Sequence, residues 1–320
     1  MQVRMILCSH SPLMLKEMPE TLPGSQAAFL RTMQDVAQDL EGFDPELIVT
    51  FGPDHFNGFF YDLMPSFCVG VKAEGTQDWG IRGGPLQVPS DLAVECVRHL
   101  HRNGFDTAIS HEMKVDHGTT ITLSQVAGEL DSYSVLPIFV NCAADPRPSM
   151  TRARLFGAEV GRYLSDRGLN RVAVLGSGGL SHDPPTPRLA TASPELAKRL
   201  IRRSVPTTEE LQNREARVMK AAAALVAGEG PCMPPNSEWD AQFLKKITTW
   251  DRDGLDAITD DELDKRAGFG GHEVRTWVAA FAAARQMASA TKISVQQRYY
   301  EIIPEWLTGM GVVTGHNEGR

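Results

Sequence analysis

The feature that most restricts the fold is the alternation, over the first half of the chain, of short apolar β-rich runs with segments of helical periodicity. The predicted strands are residues 3–8, 47–51, 67–71, 107–110, 135–140 and 171–175. The predicted helices between them are residues 25–40, 90–101, with Ser90 as a candidate N-cap, and 150–164. This alternation favours an α/β fold with a mixed, mostly parallel sheet that helices cover on both faces.

The pattern changes after His182. Helix-breaking residues between 184 and 206 surround a short predicted helix at 195–203, and helical sequence then dominates to about residue 290. Two capping boxes mark helix starts in this part, Thr207 with Glu210 and Thr259 with Glu262. We therefore expect one α/β domain over residues 1–320, with a helix-rich portion at about 190–290 packed on its core.

Composition excludes several classes of protein. A net charge of −8 over 320 residues argues against a nucleic-acid partner. The five cysteines are scattered without a C-x-x-C pair, which is typical of reduced thiols in a cytosolic protein. The first ten residues hold too short an apolar run for a signal peptide, and the apolar segment at 277–288 is too short to cross a bilayer. We expect a cytoplasmic protein without a membrane or nucleic-acid partner.

Histidines recur where predicted strands end. His10, His55 and His182 each follow an apolar run by a few residues, and His117 lies between two later strand candidates. Open α/β sheets bind ligands at the carboxyl ends of their strands, so these four histidines predict one shared site. The other five are interpreted as polar surface residues: His99, His101, His111, His272 and His316.

The residue types around these histidines narrow the chemistry. The GSGG stretch lacks the lysine of a phosphate-binding loop, Ser177 is not in a G-x-S-x-G elbow, and Cys142 is interpreted as a buried thiol rather than a nucleophile. Two imidazoles and one carboxylate would form the facial triad of non-haem Fe(II) enzymes. Spacing does not select the carboxylate, and the candidates are Asp54, Glu238, Asp240 and Glu273.

Several motifs together carry a resemblance to a known family. They are CSHSPL, PDHFNGFFYDLMPSFCVG, VDHG, LGSGGLSH, WDAQF, HEVRTWVAAFAA and RYYEIIPEWLTGMG. The chain resembles the class III extradiol ring-cleavage dioxygenases, the superfamily that holds the catalytic subunit of protocatechuate 4,5-dioxygenase. The resemblance extends from residue 1 to about residue 311. The HFNGFFYD and YYEIIPEW stretches are those of the branch that acts on phenylpropionate-type catechols.

The resemblance implies a role for each residue of the site. It implies Fe(2+) bound by His10, His55 and Glu273, the last in a pattern of glutamate followed four residues later by tryptophan, which makes Glu238 the weaker candidate. It implies that His117 is the proton donor and that His182 is the proton acceptor. It also implies that the glycines before His182 let the backbone pass close to the substrate ring.

The resemblance further implies a reaction and its partners. The expected substrates are dioxygen and a small-molecule catechol with a carboxyalkyl or carboxyalkenyl side chain, cleaved in the extradiol sense by a homo-oligomer. Lys72, Arg82 and Arg275 are candidates to bind the side-chain carboxylate, and the sequence does not choose among them. Two alternatives stay open: a zinc-dependent hydrolase on the same scaffold, and a binding module without catalytic activity.

Overall fold

Strands and helices alternate along most of the chain in a computed structural model that describes residues 1–16, 24–203, 206–288 and 292–317. The strands are β1 (Gln2–Cys8), β2 (Leu47–Gly52), β3 (Phe67–Gly70), β4 (Ala73–Gly75), β5 (Gly84–Pro85), β6 (Ala108–Ser110), β7 (Met113–Val115), β8 (Val135–Val140), β9 (Arg171–Ser177), β10 (Ile293–Ile303) and β11 (Thr308–Asn317). The helices are α1 (Gly24–Phe43), α2 (Ser90–Arg102), α3 (His117–Ala127), α4 (Met150–Ser165), α5 (Pro194–Ile201), α6 (Thr208–Val226), α7 (Ser237–Thr249), α8 (Arg252–Asp256), α9 (Asp260–Glu262) and α10 (Val274–Ala288). Shorter helical turns are Pro12–Leu15, Asp78–Gly80, Leu189–Thr191, Leu263–Ala267, Phe269–Glu273 and Pro304–Trp306.

Eight strands form the main sheet, in the order β10-β11-β1-β9-β2-β8-β3-β6. Its centre is parallel, because β1 pairs with β9, β9 with β2, and β2 with β8, all in the same direction. The β10–β11 hairpin joins antiparallel to β1 at one side, and β3 pairs antiparallel with β8 at the other. The carboxyl ends of β1, β9 and β2 therefore open at one edge of the sheet.

Side chains of the central strands alternate between two apolar cores. In β1, Val3, Met5 and Leu7 pack into one core, and Ile6 and Cys8 pack into the other. This follows from the period of two along a strand, and both faces are apolar because helices cover both. Helices α2, α4, α7 and α10 pack on the first face, and α1 and α3 cover the second.

These observations confirm the predicted fold class, a mixed α/β protein with a large, mostly parallel sheet and a helix-rich C-terminal portion. The six predicted strands agree with observed strands to within two residues at each end, and the predicted helices to within three. Two strand–strand units were not predicted: the C-terminal hairpin of β10 and β11, and the small sheet of β5, β4 and β7.

Pro137 lies in a central strand, although proline favours edges. It is tolerated because β3 pairs with β8 only as far as Ile138, so the missing N–H of Pro137 falls beyond the end of that ladder. Gly70 lies beside the ring, since a Cβ on it would come within 2.9 Å of the Pro137 Cγ.

Helix starts follow their caps, with two differences from expectation. The predicted capping box of Thr207 and Glu210 is present in both directions. Thr259 accepts from the N–H of Glu262, but the Glu262 carboxylate accepts from the Trp239 indole instead. Ser90 was wrongly predicted as an N-cap, because its hydroxyl donates to the Val71 carbonyl and Pro89 precedes the helix. Among the described residues, no helix is both long and apolar enough to span a bilayer.

Candidate active site

Four histidines and one glutamate converge at the carboxyl edge of the parallel strands. His10 follows β1, His55 follows β2, His182 follows β9, and His117 is the first residue of α3. Glu273 ends the helical turn Phe269–Glu273, which leads directly into α10. The structure therefore brings together all five residues to which the sequence assigns chemistry.

The Glu273 carboxylate lies between three imidazoles. Its Oε1 is 3.0 Å from the His55 Nε2 and 3.7 Å from the His182 Nε2, and its Oε2 is 3.8 Å from the His10 Nε2. The backbone N–H of Gly179 donates to Oε2 at 2.7 Å and fixes the orientation of the carboxylate. The His117 ring stacks on the His55 ring, with centroids 4.3 Å apart.

The Nδ1 atom of each imidazole is occupied outside the cluster. The partners are Ser177 Oγ for His10, Asp116 Oδ2 for His55, Asp78 Oδ2 for His117 and the Leu180 carbonyl for His182. The two carboxylates and the carbonyl can only accept a hydrogen bond. The Ser177 hydroxyl also accepts from His10, because it already donates its own hydrogen to the Gly118 carbonyl at 2.5 Å. Every Nδ1 therefore carries a ring proton, and every Nε2 is the atom that can bind a metal cation or a second proton at the cluster.

This arrangement fits a metal cation. Lone pairs of His10 and His55 face carboxylate oxygens of Glu273, and such acceptors come together stably only around a proton or a cation. Ligands of one ion with bonds of about 2.1 Å are about 3 to 3.5 Å apart, close to the observed 3.0 and 3.8 Å. Carboxylates behind the outer ring nitrogens, as Asp116 stands behind His55, are typical of metal-binding histidines.

His117 also lies close enough to the other histidines to be a metal ligand. Nitrogen atoms of His10, His55 and His117 all lie within 4.8 Å of one another. Oxygen atoms of Asp78 and Asp116 form a second such group with a His117 nitrogen. Among the described residues, His117 therefore lies close enough to His10 and His55 to share a cation with them.

Burial and charge set the protonation of the cluster. Burial lowers the pKa of His10 to about 3, against the opposing charge of Glu273, so its ring is neutral. Burial also lowers the pKa values of His55 and His182, but nearby carboxylates outweigh it and raise both, Asp116 and Glu273 for His55 and Glu273 for His182. Burial alone would raise the pKa of Glu273, yet the charge of His182 and hydrogen bonds from His182 and His55 hold it well below its usual range. Glu273 is thus ionised, as a ligand must be.

Glycines allow the close packing of these groups. A Cβ on Gly178 would come within 2.7 Å of the Glu273 carbonyl oxygen, and a Cβ on Gly270 would come within 2.1 Å of the His182 Nε2. From the sequence, the glycines of the turn before His182 are expected to let the backbone pass close to a substrate ring. In the structure its close neighbours are Glu273 and His182 themselves, so these glycines set where the imidazole and carboxylate stand.

Substitution of Gly270 by alanine is expected to displace the His182 ring, since the new methyl group would overlap three of its atoms. The fold should persist, because a buried ring at the end of a side chain can rotate. We expect metal content near that of the unmodified protein and a fall in turnover of at least about tenfold, as misplaced catalytic groups give. Metal analysis and oxygen uptake check this, and Gly42→Ala, in open space, is the matched control.

The other carboxylate candidates have different tasks. Asp54 accepts from the backbone N–H groups of residues 57, 58 and 59 and shapes the loop after β2. Asp240 accepts from the N–H and hydroxyl of Ser181 and from the Tyr300 hydroxyl, and so braces the turn before His182. Glu238 is bonded to Gln242 on the exposed side of α7. Of the four candidates, Glu273 contacts the histidines of the cluster.

His272 was wrongly assigned to the surface. Its ring is fully buried, and its nitrogens bond to Asp264 and to the Arg275 guanidinium. Burial and the Arg275 charge lower the pKa of His272 to about 2. The reason is its position in the turn before α10, where it faces away from Glu273 and joins the turn to neighbouring segments.

Sequence reasoning missed the residues that orient the imidazoles. Asp116 also caps α3 by accepting from the Gly118 N–H, and Asp78 lies in a turn 39 residues before His117. The VDHG motif was a signal for Asp116, as an aspartate directly before a histidine at a helix start. Asp78 and Ser177 had no comparable local signal, because they meet their histidines through tertiary structure.

A cavity of about 410 Å³ opens over the cluster. This is within the usual range for small-molecule sites. The five cluster residues form one end, and the rest of the wall is largely apolar. The apolar lining is Leu13, Phe56, Phe60, Trp79, Pro184, Pro185, Pro187, Leu196, Leu200, Trp306 and Leu307. A small, mostly apolar molecule with polar groups directed at Glu273 suits such a space.

The basic residues proposed from sequence do not line this cavity. Arg275 is buried and bonded to Pro148, His272 and Asp260, and Arg82 pairs with Glu129 on the surface. Lys72 is exposed and also lies outside the lining. The Cys142 thiol is buried, which raises its pKa and disfavours the nucleophilic thiolate.

Comparison with known proteins identifies the family of this chain. The family model described as the catalytic LigB subunit of aromatic ring-opening dioxygenase matches residues 4–311. The protein named 2,3-dihydroxyphenylpropionate/2,3-dihydroxicinnamic acid 1,2-dioxygenase in Photorhabdus laumondii is 42% identical over 98% of this chain and 97% of its own. Proteins of the same name are 43% identical in Mycolicibacterium vanbaalenii, over 97% of both chains, and 45% identical in Paraburkholderia xenovorans, over 85% of this chain and 84% of that one. The chain belongs to the LigB family of catalytic subunits of aromatic ring-opening dioxygenases.

Proposed function

We propose that this protein is an Fe(II)-dependent extradiol dioxygenase that cleaves 3-(2,3-dihydroxyphenyl)propanoate and 2,3-dihydroxycinnamate. The reaction breaks the ring carbon–carbon bond between a hydroxyl-bearing carbon and the carbon that carries the side chain, adds one atom of dioxygen to each of these two carbons, and gives a 2-hydroxy-6-oxonona-2,4-dienedioate-type product. One observation carries the proposal: His10, His55 and Glu273 converge in the wall of a cavity that His117 and His182 also line. The names of the similar proteins support the substrate class.

His10, His55 and Glu273 would hold the iron. Two neutral imidazoles and one carboxylate leave room for further ligands on a six-coordinate ion, as in other non-haem iron sites. The bound iron would supply the electron-transfer chemistry through which dioxygen reacts with a catechol, which amino-acid side chains lack. Asp116 and Ser177 fix the tautomers of His55 and His10 so that both Nε2 lone pairs face inward.

His182 is suited to accept a proton from a catechol hydroxyl. Its Nδ1–H donates to the Leu180 carbonyl, so Nε2 faces the cavity and is the atom that accepts the proton. His117 is suited to donate a proton to the oxygen atom that departs when the O–O bond breaks. Its Nδ1 is bonded to Asp78, which orients Nε2 towards the cavity.

Oxygen uptake tests this function directly. Protein loaded anaerobically with Fe(II) is expected to consume one molecule of dioxygen per molecule of 3-(2,3-dihydroxyphenyl)propanoate and to form a yellow ring-opened product. Chelation of the iron should abolish uptake, and Fe(II) with ascorbate should restore it. Recovery of activity with Zn(II) in place of Fe(II), or hydrolysis of an ester or amide without oxygen uptake, would instead favour the zinc hydrolase.

A further inference from the structure

The helix α6 forms the wall of the cavity across from the sheet. Residues of one helical face line the space: Glu210, Leu211, Arg214, Arg217 and Val218. Their spacing of about four and seven residues places them in one stripe along the helix. Two arginines therefore stand one turn apart on a wall that is otherwise mostly apolar.

The arginines of the cavity differ in what they already bind. Arg199 forms an ion pair with Glu210. Arg214 donates to the Asn57 side-chain oxygen and to the His55 carbonyl, both at 3.0 Å, and so supports the loop after β2. Arg217 has no hydrogen-bond or ion-pair partner among residues 1–16, 24–203, 206–288 and 292–317, and its guanidinium is free to bind an anion.

The acidic residues of the cavity do not compensate Arg217. Glu273 is held among the cluster histidines, Asp78 is bonded to His117 and Thr76, and Glu210 is paired with Arg199. Arg217 is an exposed residue of α6, and the partial burial of its side chain and the neighbouring Arg214 charge lower its pKa. A bound anion would offset both effects. The cavity thus has an ionised carboxylate and imidazoles at one end and an unmatched cation on α6.

We propose that Arg217 binds the carboxylate at the end of the substrate side chain while the catechol hydroxyls face Glu273. The inference rests on the proposed function and extends it to the residue that selects acidic over neutral catechols. The planar guanidinium presents paired N–H donors that match the two oxygens of a carboxylate. Apolar residues of the cavity wall would contact the ring and the methylene groups between these two ends.

The test compares an acidic substrate with a neutral one of similar size. Arg217→Gln is expected to raise KM for 3-(2,3-dihydroxyphenyl)propanoate by about 10- to 100-fold, the effect of losing a charge-assisted hydrogen bond. Its kcat should change little, and both constants for 3-propylcatechol should stay within about twofold. Arg217→Lys keeps the charge without the paired donors and should fall between the two. Lys220→Gln, an exposed cation on the same helix outside the cavity lining, should match the unmodified protein.

A binding measurement separates this inference from the catalytic proposal. Calorimetric titration with 3-phenylpropanoate, which has the carboxylate but no hydroxyls, should show weaker binding to Arg217→Gln than to the unmodified protein by at least about tenfold. Loss of binding in Arg217→Gln would support the subsite even if no catechol were consumed. An unchanged affinity and KM for the acids, or an equal rise in KM for the acid and 3-propylcatechol, would refute it.

Discussion

Glu273→Gln is expected to lose iron and, with it, at least about 100-fold in activity, since substitution even of groups behind metal ligands costs 10- to 100-fold. The amide has the shape of the carboxylate but no charge, so the cavity would present neutral lone pairs alone to the ion. The Gly179 N–H can still donate to the amide oxygen, which should preserve the turn and the fold. Iron content of the purified protein and oxygen uptake with 3-(2,3-dihydroxyphenyl)propanoate measure the effect.

Matched variants make this result specific to the ligand set. His10→Ala and His55→Ala should lose iron in the same way, because each removes one inward-facing Nε2. Glu238→Gln changes a glutamate on the exposed side of α7 and should leave iron content and activity unchanged. Full iron occupancy in Glu273→Gln together with loss of iron in Glu238→Gln would transfer the carboxylate role to Glu238.

His117→Ala and His182→Ala are expected to keep iron and to lose about 10²- to 10⁴-fold in kcat, the usual contribution of a positioned acid or base. The two effects should be separable by pH. Without the base His182, activity should no longer fall as the solution becomes acidic, because no neutral imidazole has to be maintained. The His117 variant should keep the fall in activity on the acidic side, because its base His182 is intact. Rates and iron content across pH 5 to 9 measure both.

The His117 variant also decides between two roles for that residue, metal ligand and proton donor. Nitrogen atoms of His10, His55 and His117 lie within 4.8 Å of one another, so geometry permits His117 as a third imidazole ligand. Loss of iron from His117→Ala would establish it as a ligand and remove it from proton transfer. His111→Ala, an exposed histidine on a surface bend, is the control for the general effect of losing an imidazole.

Local sequence predicted the parallel centre of the fold well. Strands β1, β2 and β9 are apolar on both faces, so their runs are continuous, and the loops that follow them carry His10, His55 and His182. Burial on both faces thus left a clear signal. The β10 strand gave a weak one, because it lies at the edge of the sheet and alternates buried with exposed polar residues such as Gln296.

The candidate site could be predicted only in part from the sequence, for a different reason. Residue types indicated a histidine-rich site but left four carboxylates open, and the choice of Glu273 came from family resemblance. Glu273 and His55 are 218 residues apart along the chain, and they come into contact because α10 packs against the sheet. Arg217 was missed for the same reason, since its role depends on where α6 lies and not on its neighbours in sequence.

The C-terminal hairpin bears on when this site can first exist. The loop of His10 is bonded to it through Ser9, which exchanges hydrogen bonds with Gly311, and through Ser11, whose hydroxyl donates to the Trp306 carbonyl. The turn before His182 is joined to the same hairpin by a bridge to Thr308. On the ribosome, therefore, the histidine loops gain their final support only after β11 has emerged. A chain that lacks β11 therefore lacks the hydrogen bonds that hold the loops of His10 and His182 in place.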